Sequence, residues 1–162
     1  MILLIIICFI LGSHLPLMAQ DQYEVVELAV MRDQPIVRGT INGKRAFLLL
    51  DTGADVSIIH SNDAKRYGFS CHTRTSLNGF QIAGLGTSMK GLVSVYDMDL
   101  RVGSQTIRAD YIALDLSGLI RSLNSGSSVK INGILGSEAL KRYGFVIDYD
   151  RREVKMKVSE AE

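Results

Sequence analysis

At 162 residues the chain has room for one domain and is short for two. Its 18 Lys and Arg against 17 Asp and Glu leave a net charge of +1, which argues against a nucleic-acid binder with a basic surplus. With 47% apolar and 22% charged residues it is a folding chain, not a disordered tail.

The apolar content is concentrated at one end. Met1 to Leu11 is unbroken, followed by Gly12, Ser13, His14 and Pro16 and then the small residue Ala19, with no Asp, Glu, Lys or Arg before Asp21. As a helix this run spans roughly 17 Å, too short for a hydrocarbon core of about 30 Å. It reads as an export signal over residues 1–19, leaving a single domain over 20–162 that is periplasmic or secreted. Kept in place, the same segment would anchor the chain to a membrane. Cleavage removes Cys8 and leaves Cys71 alone, so the mature chain forms no intrachain disulfide.

From Tyr23 the pattern is one of short strands. Glu24–Met31 and Ile36–Ile41 are rich in Val, Ile and other apolar residues, and the second runs into Asn42-Gly43, a two-residue hairpin turn. Arg45–Leu50 ends in Phe47-Leu48-Leu49-Leu50, a continuous apolar run that predicts a strand buried on both faces. Val56–His60 continues as a strand. Ser61–Tyr67 predicts a short helix, capped by Ser61 or Asn62 and stopped by Gly68.

Tyr96–Val102 alternates, with Tyr96, Met98, Leu100 and Val102 on one face. Gly103-Ser104 turns the chain into a strand at Thr106–Leu114, and Leu116–Lys130 reads as a loop. Ser137–Tyr143 predicts a second short helix with Gly144 just past its end. Phe145–Tyr149 and Val154–Val158 close the chain as a hairpin around Asp150-Arg151. Many short strands with one or two short helices predict an all-β fold, a small closed barrel. The string Lys65-Arg66-Tyr67-Gly68-Phe69 recurs as Lys141-Arg142-Tyr143-Gly144-Phe145, each time at the end of a short helix. Unequal spacing from the Ile-Asn-Gly upstream of each copy excludes a solenoid and points to two related halves.

One constellation could carry chemistry. Asp51-Thr52-Gly53-Ala54 puts a carboxylate just past the buried strand, where an unpaired charge is costly. Gly53 permits a tight turn and Thr52 offers a bracing hydroxyl. On these residues alone, a plain strand-ending turn remains an equal alternative. Cys71 and His72 are adjacent and point to opposite faces of a strand, so they do not pair for catalysis. The scattered His14, His60 and His72 form no metal pattern, and no metal or other cofactor is expected.

The longer segment Phe47 to Ile59, with Asp51-Thr52-Gly53-Ala54 at its centre, resembles the active-site segment of retropepsin-like aspartic proteases. Ile134-Leu135-Gly136 is similar to that family's apolar-apolar-Gly element, and Phe145 to Arg152 to the closing hairpin of its exported bacterial members. The resemblance spans about Val30 to Val158. It implies an endopeptidase in which Asp51 of two chains forms the catalytic pair across a homodimer, acting on a protein or peptide substrate without a cofactor. It also implies that Asp55 contacts substrate backbone and that Gly79–Thr87 is a flap, with Ile82, Gly84, Leu85 and Gly86 touching substrate. Asp115-Leu116-Ser117-Gly118 has one residue too many for a second copy of the motif and reads as a turn. The alternative is a dimeric peptide-binding module of the same fold that does not cleave.

Overall fold

A computed structural model describes residues 21–31, 34–74, 92–123 and 129–158. The expected signal segment and the expected flap, with Ile82, Gly84, Leu85 and Gly86, lie outside the described residues. In chain order the strands are β1 Tyr23–Val26, β2 Leu28–Met31, β3 Pro35–Ile41, β4 Lys44–Leu50, β5 Ile58–His60, β6 Ser70–Arg74, β7 Leu92–Tyr96, β8 Leu100–Val102, β9 Gln105–Thr106, β10 Ile112–Leu114, β11 Gly133–Leu135, β12 Val146–Asp148 and β13 Glu153–Lys157. Helix α1 is Ala64–Tyr67, entered through a 3-10 turn at Ser61–Asp63; α2 is Ser117–Leu123 and α3 is Ser137–Arg142. None of these helices is long and apolar enough to cross a membrane.

The Asn42-Gly43 turn forms as the sequence predicts. Both residues are left-handed, φ +48° and +75°, which matches the twist of the flanking strands. It sets β3 against β4 in a seven-residue hairpin, from Ile41 opposite Lys44 to Ile36 opposite Leu49. The main sheet curls around this hairpin in the order β6-β7-β10-β5-β11-β4-β3-β8-β9, with β2 also on β3. A second sheet, β1-β13-β12, closes against it. The architecture is all-β and barrel-like.

Strand β4 is buried on both faces, as its apolar run requires. Leu48 and Leu50 enter one core with Val37, Ile59, Tyr67 and Leu135, while Leu49 enters a second with Ile36, Ile58, Leu116 and Ile134. The β5 and β11 strands split the same way, Ile59 and Leu135 to one side, Ile58 and Ile134 to the other. These three strands form the wall between the two cores.

The two halves of the sequence are visible in the centre of the sheet. Strand β11 runs parallel to β4, β10 runs parallel to β5, and β5 and β11 are antiparallel. A local two-fold axis between β5 and β11 therefore exchanges β4 with β10. Each copy of the five-residue repeat ends a helix just after β5 or β11, and both its glycines are left-handed, Gly68 at φ +82° and Gly144 at +55°. Each tyrosine hydroxyl bonds backbone in or just ahead of one of the two strands that the axis exchanges, β4 and β10. Tyr67 donates to the Arg45 carbonyl (2.8 Å), and Tyr143 accepts from the Arg108 N–H (2.6 Å).

Four local expectations are corrected. Glu24–Met31 is two strands in two sheets, because the chain crosses over at Glu27, whose carbonyl accepts the Arg38 N–H (2.8 Å). Tyr96–Val102 breaks at Asp97, which is left-handed at φ +57° and is held there by the Asn42 side chain, so Tyr96 is exposed. The stretch from Leu116 that reads as a loop contains α2; Leu116 just before it and Ile120 within it lie one turn apart and are both buried. Neither Ser61 nor Asn62 caps α1: its N-cap is Asp63, and no side-chain hydrogen bond is made there.

Gly39 sits where β3 meets β8, and a Cβ there would lie under 3.0 Å from the Arg101 carbonyl oxygen. Gly39→Ala is expected to lower stability by about 1–3 kcal/mol through overpacking. Urea unfolding followed by circular dichroism measures this as a lower midpoint with an unchanged slope.

Candidate active site

The β4 strand delivers Asp51 to a turn fixed by the chain's own backbone. Leu50 is buried, and the Asp51 N–H donates to the Leu135 carbonyl (3.0 Å), which continues the parallel β4–β11 ladder by one residue. Beyond it the chain doubles back. The Gly53 N–H donates to Asp51 Oδ1 (2.9 Å) and the Ala54 N–H to the Asp51 carbonyl (3.3 Å). The carboxylate thus orders its own loop, an Asx turn within a backbone turn. Gly53 also leaves room for the carboxylate, since a Cβ at 53 would sit 3.3 Å from Asp51 Oδ1.

A second arm, contributed by β11 and the start of α3, holds this turn from below. The Ser137 N–H donates to the Ala54 carbonyl (2.7 Å) and the Gly136 N–H to Ser57 Oγ (3.1 Å), while the Ser57 N–H donates to Glu138 Oε1 (2.9 Å). The arms approach so closely at Gly136 that a Cβ would meet Val56 backbone atoms at 2.6 Å. Ile134-Leu135-Gly136 is therefore the structural complement of the Asp51 turn. Ser57 and Glu138 were not evident as part of it from the sequence, because their bonds run to residues about eighty positions away.

Of the expected residues, those described lie in one stretch of chain. Asp51, Thr52, Gly53 and Ala54 form the turn, with Thr52 and Gly53 exposed and Asp51 and Ala54 half-buried. Asp55 follows on the surface and lines an open cleft of about 350 Å³ with Val56, Arg108, Asp110, Glu138 and Arg142. That places Asp55 beside the turn.

Asp115 is the local two-fold equivalent of Asp51. It follows β10 as Asp51 follows β4, and its Oδ1 accepts the N–H two residues on, from Ser117, at the same 2.9 Å. Hydrogen bonds from the Ser117 side chain and backbone hold its carboxyl below the usual range. Because β5 and β11 are antiparallel, the C-terminal ends of β4 and β10 lie at opposite ends of the sheet. Asp115 is thus kept away from Asp51.

The remaining reactive side chains have structural partners or structural settings. Buried His60 accepts the Leu116 N–H on Nδ1 (3.0 Å), and buried Asp63 accepts from Asn132 Nδ2 (2.7 Å) and Lys130 (3.2 Å). The His72 ring packs against Tyr96, 5.3 Å between centroids. Burial pushes the Cys71 thiol up, which disfavours the thiolate that nucleophilic chemistry needs. Among the described residues no three His, Cys, Asp or Glu side chains form a group able to hold a metal ion.

The family model described as "gag-polyprotein putative aspartyl protease" matches residues 37–142, which span the Asp51 turn and its Gly136 complement. The chain belongs to the retropepsin-like aspartic proteases. A solved retropepsin-like aspartic protease from Rickettsia conorii shares the fold at 16% identity and a TM-score of 0.53, covering 88% of this chain and 97% of that one. Two other solved structures are similar. EIAV protease complexed with the inhibitor HBY-793 is 20% identical with a TM-score of 0.42, covering 71% of this chain and 95% of that one. The retroviral protease-like domain of Ddi1 from Leishmania major is 18% identical with a TM-score of 0.43, covering 79% and 96%. No curated protein matches the chain.

In this retropepsin-like chain the raised thiol pKa makes Cys71 a poor nucleophile. Iodoacetamide at neutral pH is expected to alkylate it more slowly in the native protein than in the urea-unfolded chain, as measured by mass spectrometry over time.

Proposed function

We propose that the protein is an exported aspartic endopeptidase, active as a homodimer in which Asp51 of each chain supplies half of a catalytic dyad. The observation that carries this is the Asp51 turn, a carboxylate ordered by its own Gly53 N–H and backed by the Leu135–Glu138 arm. One chain supplies one such turn, and its internal equivalent points elsewhere, so a second chain must bring the other carboxylate.

The chemistry follows from the repulsion between two close acids. Two carboxylates a few ångströms apart cannot both ionise easily, so they share a proton and titrate as a pair, as the carboxylates of aspartic proteases do. The ionised member takes a proton from a water as that water attacks the scissile carbonyl. The protonated member donates toward the carbonyl oxygen, and a proton then passes to the leaving amine. Extended substrate would run past Asp55, with the segment around Ile82, Gly84, Leu85 and Gly86 folding over it to exclude water. Export rests on the apolar segment 1–19, which would be cleaved after Ala19 or kept as a tether.

Asp51→Asn replaces both members of the dyad, the proton acceptor and the proton donor, with amides. Cleavage of a peptide library is expected to fall by at least about 10²–10⁴-fold, the usual worth of general acid–base catalysis. The wild type should be blocked by a statine-type inhibitor. Cleavage that survives the substitution would overturn the peptidase, and tight peptide binding without cleavage would make the protein a binding module.

Ala54 offers no hydroxyl to the neighbouring carboxylate. In Ala54→Ser a new donor would favour the ionised form and lower the dyad's first apparent pKa. The acid limb of the pH–rate profile is therefore expected to move to lower pH, leaving the wild type with the less acidic optimum. An identical profile for both proteins would contradict this.

A further inference from the structure

We infer that Glu138 is a positioning residue for the Asp51 turn; this rests on the peptidase assignment above. Its place in the first turn of α3 suggests an ordinary helix-end acid, which would point to water and interact with the helix dipole. The carboxylate does something else. Oε1 accepts the N–H of Ser57, a residue with 0% exposure, and Oε2 is buried with no hydrogen-bond partner. That second oxygen sits over Gly136, 2.7 Å from where a side chain at 136 would begin. An acid needed only for the helix end would avoid the cost of burying an unpaired oxygen.

What this arrangement provides is a fixed far leg for the turn. The near leg is pinned where the Asp51 N–H meets the Leu135 carbonyl, and the middle where the Ser137 N–H meets the Ala54 carbonyl. The far leg, Val56-Ser57, is pinned by Glu138 Oε1 and by the Gly136 N–H on Ser57 Oγ. Without Glu138 a buried N–H loses its acceptor, and the backbone must move to find another. The dyad needs its carboxylates about 3 Å apart, and misplacement by about 1 Å can cost 10²-fold in rate. Glu138 acts through Ser57 and touches neither substrate nor the reacting atoms.

Two substitutions separate reach from charge. Glu138→Asp keeps the negative charge at the start of α3 but falls one methylene short of Ser57. Glu138→Gln loses the charge and keeps an oxygen at the same reach. With peptide substrate, Glu138→Asp is expected to lower kcat by about tenfold to a hundredfold with KM within about twofold. Glu138→Gln is expected to stay within about threefold of wild type in both constants. Thermal unfolding of all three proteins checks that the dimer is folded in each. Wild-type kcat in Glu138→Asp, or a loss in Glu138→Gln as large as in Glu138→Asp, overturns the positioning role while leaving the peptidase intact. A folded wild type without turnover overturns both, and all three proteins are then equally inactive.

Discussion

The parallel pairing of β4 with β11 is the constraint on which the rest of the molecule depends. It joins residues 48–50 to residues 133–135, more than eighty positions apart, and so costs loop-closure entropy that only a buried core can offset. Leu48, Leu49, Leu50, Ile134 and Leu135 supply that core on both faces of one wall. Once the pairing is made, the next backbone bond, Asp51 N–H to the Leu135 carbonyl, follows with little further ordering. The turn therefore inherits its position from the most buried part of the fold, which is what a precisely placed carboxylate requires.

The local two-fold gives the wall two equivalent ends, and only one of them carries the motif. Exchange of β4 with β10 and of β5 with β11 repeats the same problem twice: a strand ends, an aspartate turns the chain, and a tyrosine anchors the helix that follows the neighbouring strand. Asp51 and Asp115 make the same Asx bond, but their surroundings differ. Asp51 is followed by Thr52 and Gly53 and stays in an open turn, whereas Asp115 leads into α2, whose first residue, Ser117, bonds its carboxylate. The shared framework shapes both loops, and the residues after each aspartate decide whether it is left for chemistry or spent on starting a helix.

Much of this was legible in the sequence where the signal was local. Asn42-Gly43 announces its turn because both positions need left-handed backbone, and Phe47–Leu50 announces a two-faced strand because no polar residue interrupts it. The Lys-Arg-Tyr-Gly-Phe repeat exposes the halves because each tyrosine and glycine serves the same purpose. The parts that were not legible depend on distant partners. Nothing within Glu24–Met31 tells the chain to change sheets at Glu27; that follows from which strand each half can reach. Asp97 takes a left-handed conformation because Asn42, 55 residues away, holds its carbonyl. Ser57 looks like one polar residue in an apolar stretch and Glu138 like a helix-end acid, and only the meeting of the two arms gives them a common task.

The topology also bears on assembly. Within one chain the antiparallel centre places the two Asx turns at opposite ends of the sheet, and no adjustment of a loop can bring Asp115 to Asp51 without breaking the β5–β11 pairing. Single-chain catalysis of the proposed kind is thus closed off by the same hydrogen bonds that hold the wall together. A second copy solves this by symmetry, since a two-fold that sets one Asp51 turn against its twin needs no new sequence. Such an enzyme has no complete site until two folded chains meet, so its activity is tied to protomer concentration as well as to fold stability. In the proposed function, turnover would begin only where the local concentration of protomers permits pairing.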